Sequence, residues 1–248
     1  MATMDDQEID GARDPDAEAR YGVRDDVLSL GVEAFAADAS VICLLRHSLR
    51  DDPDNDAPGH DAPLTPAGVS LALRSGRLLS RPVERLLSSP APRCRDTADA
   101  LAIGAGVALS VEVERCLAEP NAFAVDMERA VPAFRSGGAK GWVGAVLADP
   151  VSSGARSPID GTERILNAVA RICPSPGGVS LAITHDTVLA VVVHVLAGVS
   201  DVQEQLWPRM LEALCLAPTD EGWAWRWRAL DGHWSASAAA IAPSYPLC

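Results

Sequence analysis

The stretch ASVICLLRHSLRDDP, residues 39–53, decides the fold. Its run SVICLLR is short and largely apolar, which is the pattern of a buried strand. The run stops abruptly at Arg46-His47, with Arg50 and a string of aspartates behind. An imidazole between two guanidinium groups is pushed away from protonation, so the arrangement is costly unless an anion belongs there.

The same rhythm continues outward. LTPAGVSLALRSGRLLS predicts a helix with Thr65 as N-cap and Pro66 at its first position. VERLLSS reads as a second strand, PAPRCRDTADALAIGAG as a glycine-terminated helix, and VALSVEVER as a third strand. Residues 119–160, rich in glycine and proline, read as irregular. GTERILNAVARIC (helix), GVSLAIT (strand) and HDTVLAVVVHVLAG (helix) follow, and EALCLAPT and GWAWRWRAL form a hairpin around DEG. Strand–helix alternation predicts an α/β three-layer sandwich: a mostly parallel central sheet, helices on both faces, and antiparallel edge strands near the C-terminus. The alternating Trp223, Trp225 and Trp227 are expected to pack one strand face on the core.

Composition narrows the class. The 248 residues are 48% hydrophobic, enough for one sizeable domain. No run approaches the roughly 18 apolar residues of a membrane span, and no basic-then-apolar leader opens the chain. The expectation is a cytoplasmic protein without a membrane partner. The net charge of −13 is concentrated at the start, where residues 1–38 hold eleven acids against three bases. Such a surface does not suit nucleic acid. The domain reading is an acidic N-terminal arm over 1–38, a catalytic domain over 39–235 with an insert at about 120–158, and a tail over 236–248. The six cysteines (43, 94, 116, 173, 215, 248) contain no C-x-x-C pair and read as reduced thiols. The five histidines are not at metal-ligand spacing, so neither metal nor cofactor is expected.

In folds of this class ligands sit at the carboxyl ends of the strands. The first strand is followed by Arg46, His47, Ser48 and Arg50; the second by Arg93 on the opening turn of its helix; the third leads to Glu119; the strand at 178–184 ends in His185 and Asp186. Guanidinium groups match phosphate oxygens in geometry and keep their charge at any relevant pH. An imidazole among them keeps a lone pair for attack on phosphorus. These groups suit nucleophilic histidine catalysis on a phosphate ester, with arginines supplying the positive charge.

Four ordered motifs give the chain a resemblance to the histidine phosphatase superfamily, which has the phosphoglycerate mutase-like fold. LLRHSLR resembles its R-H-G-x-R signature, PLTPAGVSLA its L-T-x-x-G-x-x-Q-A helix opening, LLSSPAPRCRDTADAL its S-S-P-x-x-R-x-x-x-T-A segment, and AITHDTVLA stands where its second histidine belongs. The resemblance, over roughly residues 40–215, implies that His47 is the nucleophile that becomes phosphohistidine. It implies that Arg46, Arg93 and His185 complete the phosphate pocket, with Arg50 as a further oxygen contact. Glu119, in EPNAF, matches the family's proton donor. Ser48 replaces the usual glycine and would narrow the pocket or add a hydroxyl donor. Asp186 follows His185 as in the acid-phosphatase branch, which makes it the alternative donor.

The expectation is a metal-independent phosphatase for a small phosphorylated metabolite. The rivals are a phosphomutase on the same fold and a non-catalytic phosphate-binding or scaffold protein. A second copy of the chain is the protein partner left open. His194 reads as a satisfied core histidine, Arg95 as a surface residue, and His60 as exposed in an aspartate-rich loop over 51–64 that borders the site.

Overall fold

The computed structural model describes residues 24–50 and 62–235. The arm's first 23 residues, the tail, His60 and most of the aspartate-rich loop lie outside the described residues.

The elements run α1 (Val27–Glu33), β1 (Val41–Arg46), α2 (Pro66–Arg77), β2 (Val83–Ser88), α3 (Pro92–Gly104), β3 (Val111–Val113), α4 (Met127–Ala148), α5 (Pro158–Ala170), β4 (Val179–Thr184), α6 (Asp186–Leu196), β5 (Ala213–Thr219), β6 (Gly222–Trp227) and β7 (Leu230–Ser235). They form one seven-stranded sheet in the order β3-β2-β4-β1-β5-β6-β7. The pairs β3–β2, β2–β4 and β4–β1 are parallel, and β1–β5, β5–β6 and β6–β7 antiparallel. This is the expected α/β sandwich.

Alternation along β1 divides the core. Val41, Cys43 and Leu45 meet α1, α2 and α3 on one face, while Ile42 and Leu44 join α4, α5 and α6 on the other. Trp223, Trp225 and Trp227 are buried in the second cluster, as their spacing predicts. On the first face, α2 and α3 touch backbone to backbone. A Cβ on Gly76 would lie 2.2 Å from the Leu101 carbonyl oxygen, and one on Gly104 would lie 2.1 Å from that of Leu73. Only glycine permits such an approach.

Three differences from the sequence reading have physical causes. Helix α4 occupies 22 residues of the stretch read as irregular. Pro132 and the Gly137-Gly138 pair look like breakers, yet the chain needs only a kink, at Gly138 with φ 59°. Buried Ala130, Trp142, Val143 and Val146 anchor the helix on both sides of it. Helix α1 lies inside the segment read as an arm, with Leu28 and Val32 buried in the core. Strand β7 extends the C-terminal hairpin into a meander, and its mostly exposed residues had given no apolar signal. The cysteine reading needs one correction: Cys43, Cys94, Cys116 and Cys215 are free and buried, but Cys173 is disulfide-bonded.

His194, on α6, is fully buried with both ring nitrogens engaged. Nδ1–H donates to the Ala190 carbonyl at 2.7 Å, and Nε2 accepts from the Gln203 amide at 2.9 Å. Burial pulls its pKa below the ordinary 6.5. The unfolded chain therefore takes up a proton near pH 6.5 that the folded chain refuses, so stability is lost as pH falls through that value. In denaturant titrations between pH 7.5 and 5.5, His194→Gln is expected to be less stable at neutral pH and to show a shallower acid dependence than wild type. Parallel pH curves for the two proteins would contradict this.

Candidate active site

Register places the two histidines. Arg46 on β1 pairs with Thr184 on β4, so His47 and His185 leave the sheet side by side. His47 remains tied to β4 through its amide, which donates to the Thr184 carbonyl at 3.0 Å. The rings lie 5.6 Å apart, centroid to centroid, in an edge-to-face arrangement at 70°. On the other side of β4, Ser88 pairs with Ile183, and the next residues lead through Ser89 into α3 and Arg93. Both α3 and α6 begin at this rim, so two helix N-termini add their positive ends to it.

His47 is 2% exposed. Its Nδ1–H donates to the Ser48 carbonyl at 2.7 Å, which leaves the lone pair on Nε2. Burial, then Arg46, His185 and Arg93, hold its pKa well below the ordinary 6.5. The imidazole is thus a neutral base at physiological pH. His185 is held by Arg93, whose Nη2 donates to Nδ1 at 2.8 Å, while Nε2–H donates to Ser89 Oγ at 2.8 Å.

Arg46 is gripped from two sides. Nη1 donates to the Pro208 carbonyl and Nη2 pairs with Asp186, each at 2.8 Å. The pKa of buried Arg93 is lowered by desolvation and by its positive neighbours Arg50 and Arg46, although Cys94 and Asp186 counteract them. Arg50, bridged to Leu64 by its backbone, is therefore part of the same charge cluster.

The two carboxylates are driven in opposite directions. Asp186 is desolvated, but Arg46, His47 and His185 outweigh this, and its pKa lies below the ordinary 3.8. Burial raises Glu119 above its ordinary 4.5, against hydrogen bonds from the amides of Ala124 and Phe123 and the indole of Trp142. Thr184 Oγ1 ties the Glu119 segment to the rim by donating to the Leu117 carbonyl at 2.7 Å. Phe123 supports the segment from the other side: a Cβ on Gly161 of α5 would sit 2.3 Å from its ring.

Of the two expectations for Ser48, the hydroxyl donor is the one the geometry bears on. Its hydroxyl is fully buried and donates to the Gly68 carbonyl at 2.7 Å, so its proton is directed to α2 rather than to a substrate. The two strands of chain are close enough that a Cβ on Gly68 would meet the Leu49 carbonyl oxygen at 2.1 Å. Four residues without a predicted role complete the site. Ser89, Thr184 and Trp142 make the contacts above, and Thr97 Oγ1 accepts from the Ser48 amide at 3.1 Å while donating to the Arg93 carbonyl at 2.7 Å. The sequence signal for Ser89, Thr97 and Thr184 is a polar residue at a strand end or on an inward helix face, which needs a partner when buried.

Among the described residues no group of three or more His, Cys, Asp or Glu is placed to hold a metal ion, and no helix is long and apolar enough to cross a membrane.

The sequence profile of the histidine phosphatase superfamily (branch 1) matches residues 42–227. The chain belongs to that superfamily. Its fold is similar to that of phosphoglycerate mutase from Bacillus anthracis str. Sterne, at 16% identity over 77% of this chain and 94% of that one, with a TM-score of 0.54. It is similar also to mycobacterial glucosyl-3-phosphoglycerate phosphatase (20% identity, 80% and 100% covered, TM-score 0.50) and to Bacillus stearothermophilus YhfR (19%, 77% and 96%, 0.52). At these identities the likeness is one of fold. No curated protein sequence matches the chain. Within the superfamily both phosphatases and mutases occur among the structural neighbours, so membership leaves the reaction to be argued from the site.

Proposed function

We propose that this histidine phosphatase superfamily member hydrolyses a small phosphomonoester, without a metal, through a phosphohistidine on His47. The observation that carries the reading is the state of that imidazole: neutral, with Nδ1 committed to a carbonyl and the Nε2 lone pair free among Arg46, Arg93 and His185.

The phosphoryl oxygens are held by the guanidinium groups of Arg46, Arg93 and Arg50 and by the helix N-termini at the rim. His47 Nε2 attacks phosphorus, the P–O ester bond breaks, and the departing alkoxide takes a proton from Glu119. Negative charge developing on the phosphoryl oxygens meets donors already fixed in place, so little reorganisation is needed. The Glu119 carboxylate then accepts a proton from water as that water attacks the phosphohistidine. The P–N bond breaks, inorganic phosphate leaves, and His47 is neutral again. Asp186, paired with Arg46, orients the guanidinium and remains ionised throughout. Arg46 and Arg93 discourage a proton on His47 in the free enzyme, whereas the phosphoryl dianion brings the opposite charge with it.

Rapid quenching of the enzyme during turnover of an aryl phosphate in excess EDTA, followed by peptide mapping, tests the scheme. An acid-labile phosphoryl group on the peptide containing His47 is the expected result. Turnover abolished by the chelator, or a phosphoryl group on another residue, would overturn it. Water as acceptor separates a phosphatase from a mutase: inorganic phosphate should accumulate in step with the alcohol whether or not a bisphosphorylated compound is added.

A further inference from the structure

Arg228, in the turn between β6 and β7, has φ 54°, a left-handed conformation uncommon for a residue with a side chain. Its guanidinium closes over the segment before β5. Nε donates to Glu212 Oε1 at 3.0 Å and Nη2 to Glu212 Oε2, while Nη1 reaches the Gln205 carbonyl and Nη2 the Trp207 carbonyl at 2.9 Å. Glu212 is buried and turns Oε2 also to the Arg209 amide, at 2.8 Å. Residues 205–212 are thus fastened at both ends and in the middle by one ion pair.

The inner side of the same segment seats Arg46. The Pro208 carbonyl accepts from Arg46 Nη1 at 2.8 Å, the Leu211 amide donates to the Arg46 carbonyl, and the Arg46 amide donates to the Glu212 carbonyl, both at 3.1 Å. Arg228 therefore holds the Trp207 carbonyl, and Glu212 holds the Arg209 amide, on either side of Pro208, whose own carbonyl accepts from the guanidinium at the site.

We propose that Arg228 and Glu212 are positioning residues for phosphate binding, acting through Arg46 by fixing the Pro208 carbonyl that, with Asp186, aims its guanidinium. The inference rests on the reading of Arg46 as a phosphate ligand. A long, flexible side chain pinned at two nitrogens presents its remaining donors in one direction, whereas one pinned at a single nitrogen can swing. The fork of Arg228 is required as well as its charge, because a lysine ammonium cannot meet both carboxylate oxygens and two carbonyls at once.

A double-mutant cycle on Kd for inorganic phosphate, measured by calorimetry, tests this. In the wild-type background Arg228→Met is expected to weaken phosphate binding about tenfold, in the range found for directly coupled residues, and Arg228→Lys to recover little of it. In an Arg46→Ala background the same change should cost less than about twofold, since the group it acts through is gone. Equal losses in both backgrounds, or phosphate binding untouched while the melting temperature drops, would show a purely structural buckle and end the proposal. Glu212→Gln, which keeps the shape of the side chain, supplies the same comparison if Arg228→Met does not fold. A wild type that binds no phosphate would instead sink the reading of the site on which the inference stands.

Discussion

Replacing His47 by alanine is expected to lower hydrolysis of an aryl phosphate by at least about 10⁴-fold, the scale on which enzymes lose activity when a nucleophile is removed. The loss should be confined to chemistry. The guanidinium groups and helix termini proposed to hold phosphate remain, so Kd for inorganic phosphate should change little. An alanine variant retaining turnover within about tenfold of wild type would end the phosphohistidine scheme. The pH dependence carries a second expectation. Because burial and the cations Arg46 and Arg93 hold the imidazole well below its ordinary 6.5, kcat/KM should not fall as pH drops through that value. It should fall only further into the acid range, once the substrate's own ionisation, with a pKa of about 6, is allowed for. A kcat/KM that halves near 6.5 after that correction would mean an imidazole without these neighbours' influence.

Glu119→Gln is expected to slow kcat for an alkyl phosphate by about 10²–10⁴-fold, the usual contribution of a general acid. The loss should be far smaller in the phosphoryl-transfer step from an aryl phosphate, whose leaving group needs no proton. Burial keeps the Glu119 proton to higher pH than the ordinary 4.5, so the wild-type alkyl phosphate rate should decline on the basic side, and glutamine should remove that limb. Asp186→Asn should preserve the limb, since the Asp186 carboxyl is held below 3.8 and has no proton to give. Its cost should appear in phosphate affinity, through loss of the Arg46 pair. If the limb vanishes in the Asp186 variant and survives in the Glu119 variant, the acid is Asp186.

The sheet and its site were legible to different depths. β1 and β4 announced themselves because a strand buried on both faces has no alternation to disguise, and His47 and His185 stand where those runs end. Helix α4 was hidden by its own punctuation: a helix anchored by tertiary contacts tolerates a proline and a kinked glycine that local propensity counts against it. Hydroxyl groups were the least legible part of the site. Ser48 and Thr97 look alike in sequence, as small polar residues near a motif, yet one donates to Gly68 and the other accepts from Ser48 itself. Which partner a hydroxyl takes depends on how α2 and α3 sit against the loop of His47, and that packing, with Gly68 close against Leu49, is not written in the neighbouring sequence. The choice between Glu119 and Asp186 was also closed to sequence, because both are carboxylates at the rim and only their surroundings differ.

The tautomer of His47 is set by a main-chain carbonyl, that of Ser48. Every amino acid offers that same acceptor, so no substitution at position 48 removes it, and the lone pair on Nε2 that the proposed attack requires does not depend on the side chain there. Position 48 is thereby relieved of any duty to the imidazole and can spend its side chain on the neighbouring helix. The side chain at position 48 is fully buried against Gly68, so packing there and the orientation of the imidazole are answered by different atoms of one residue.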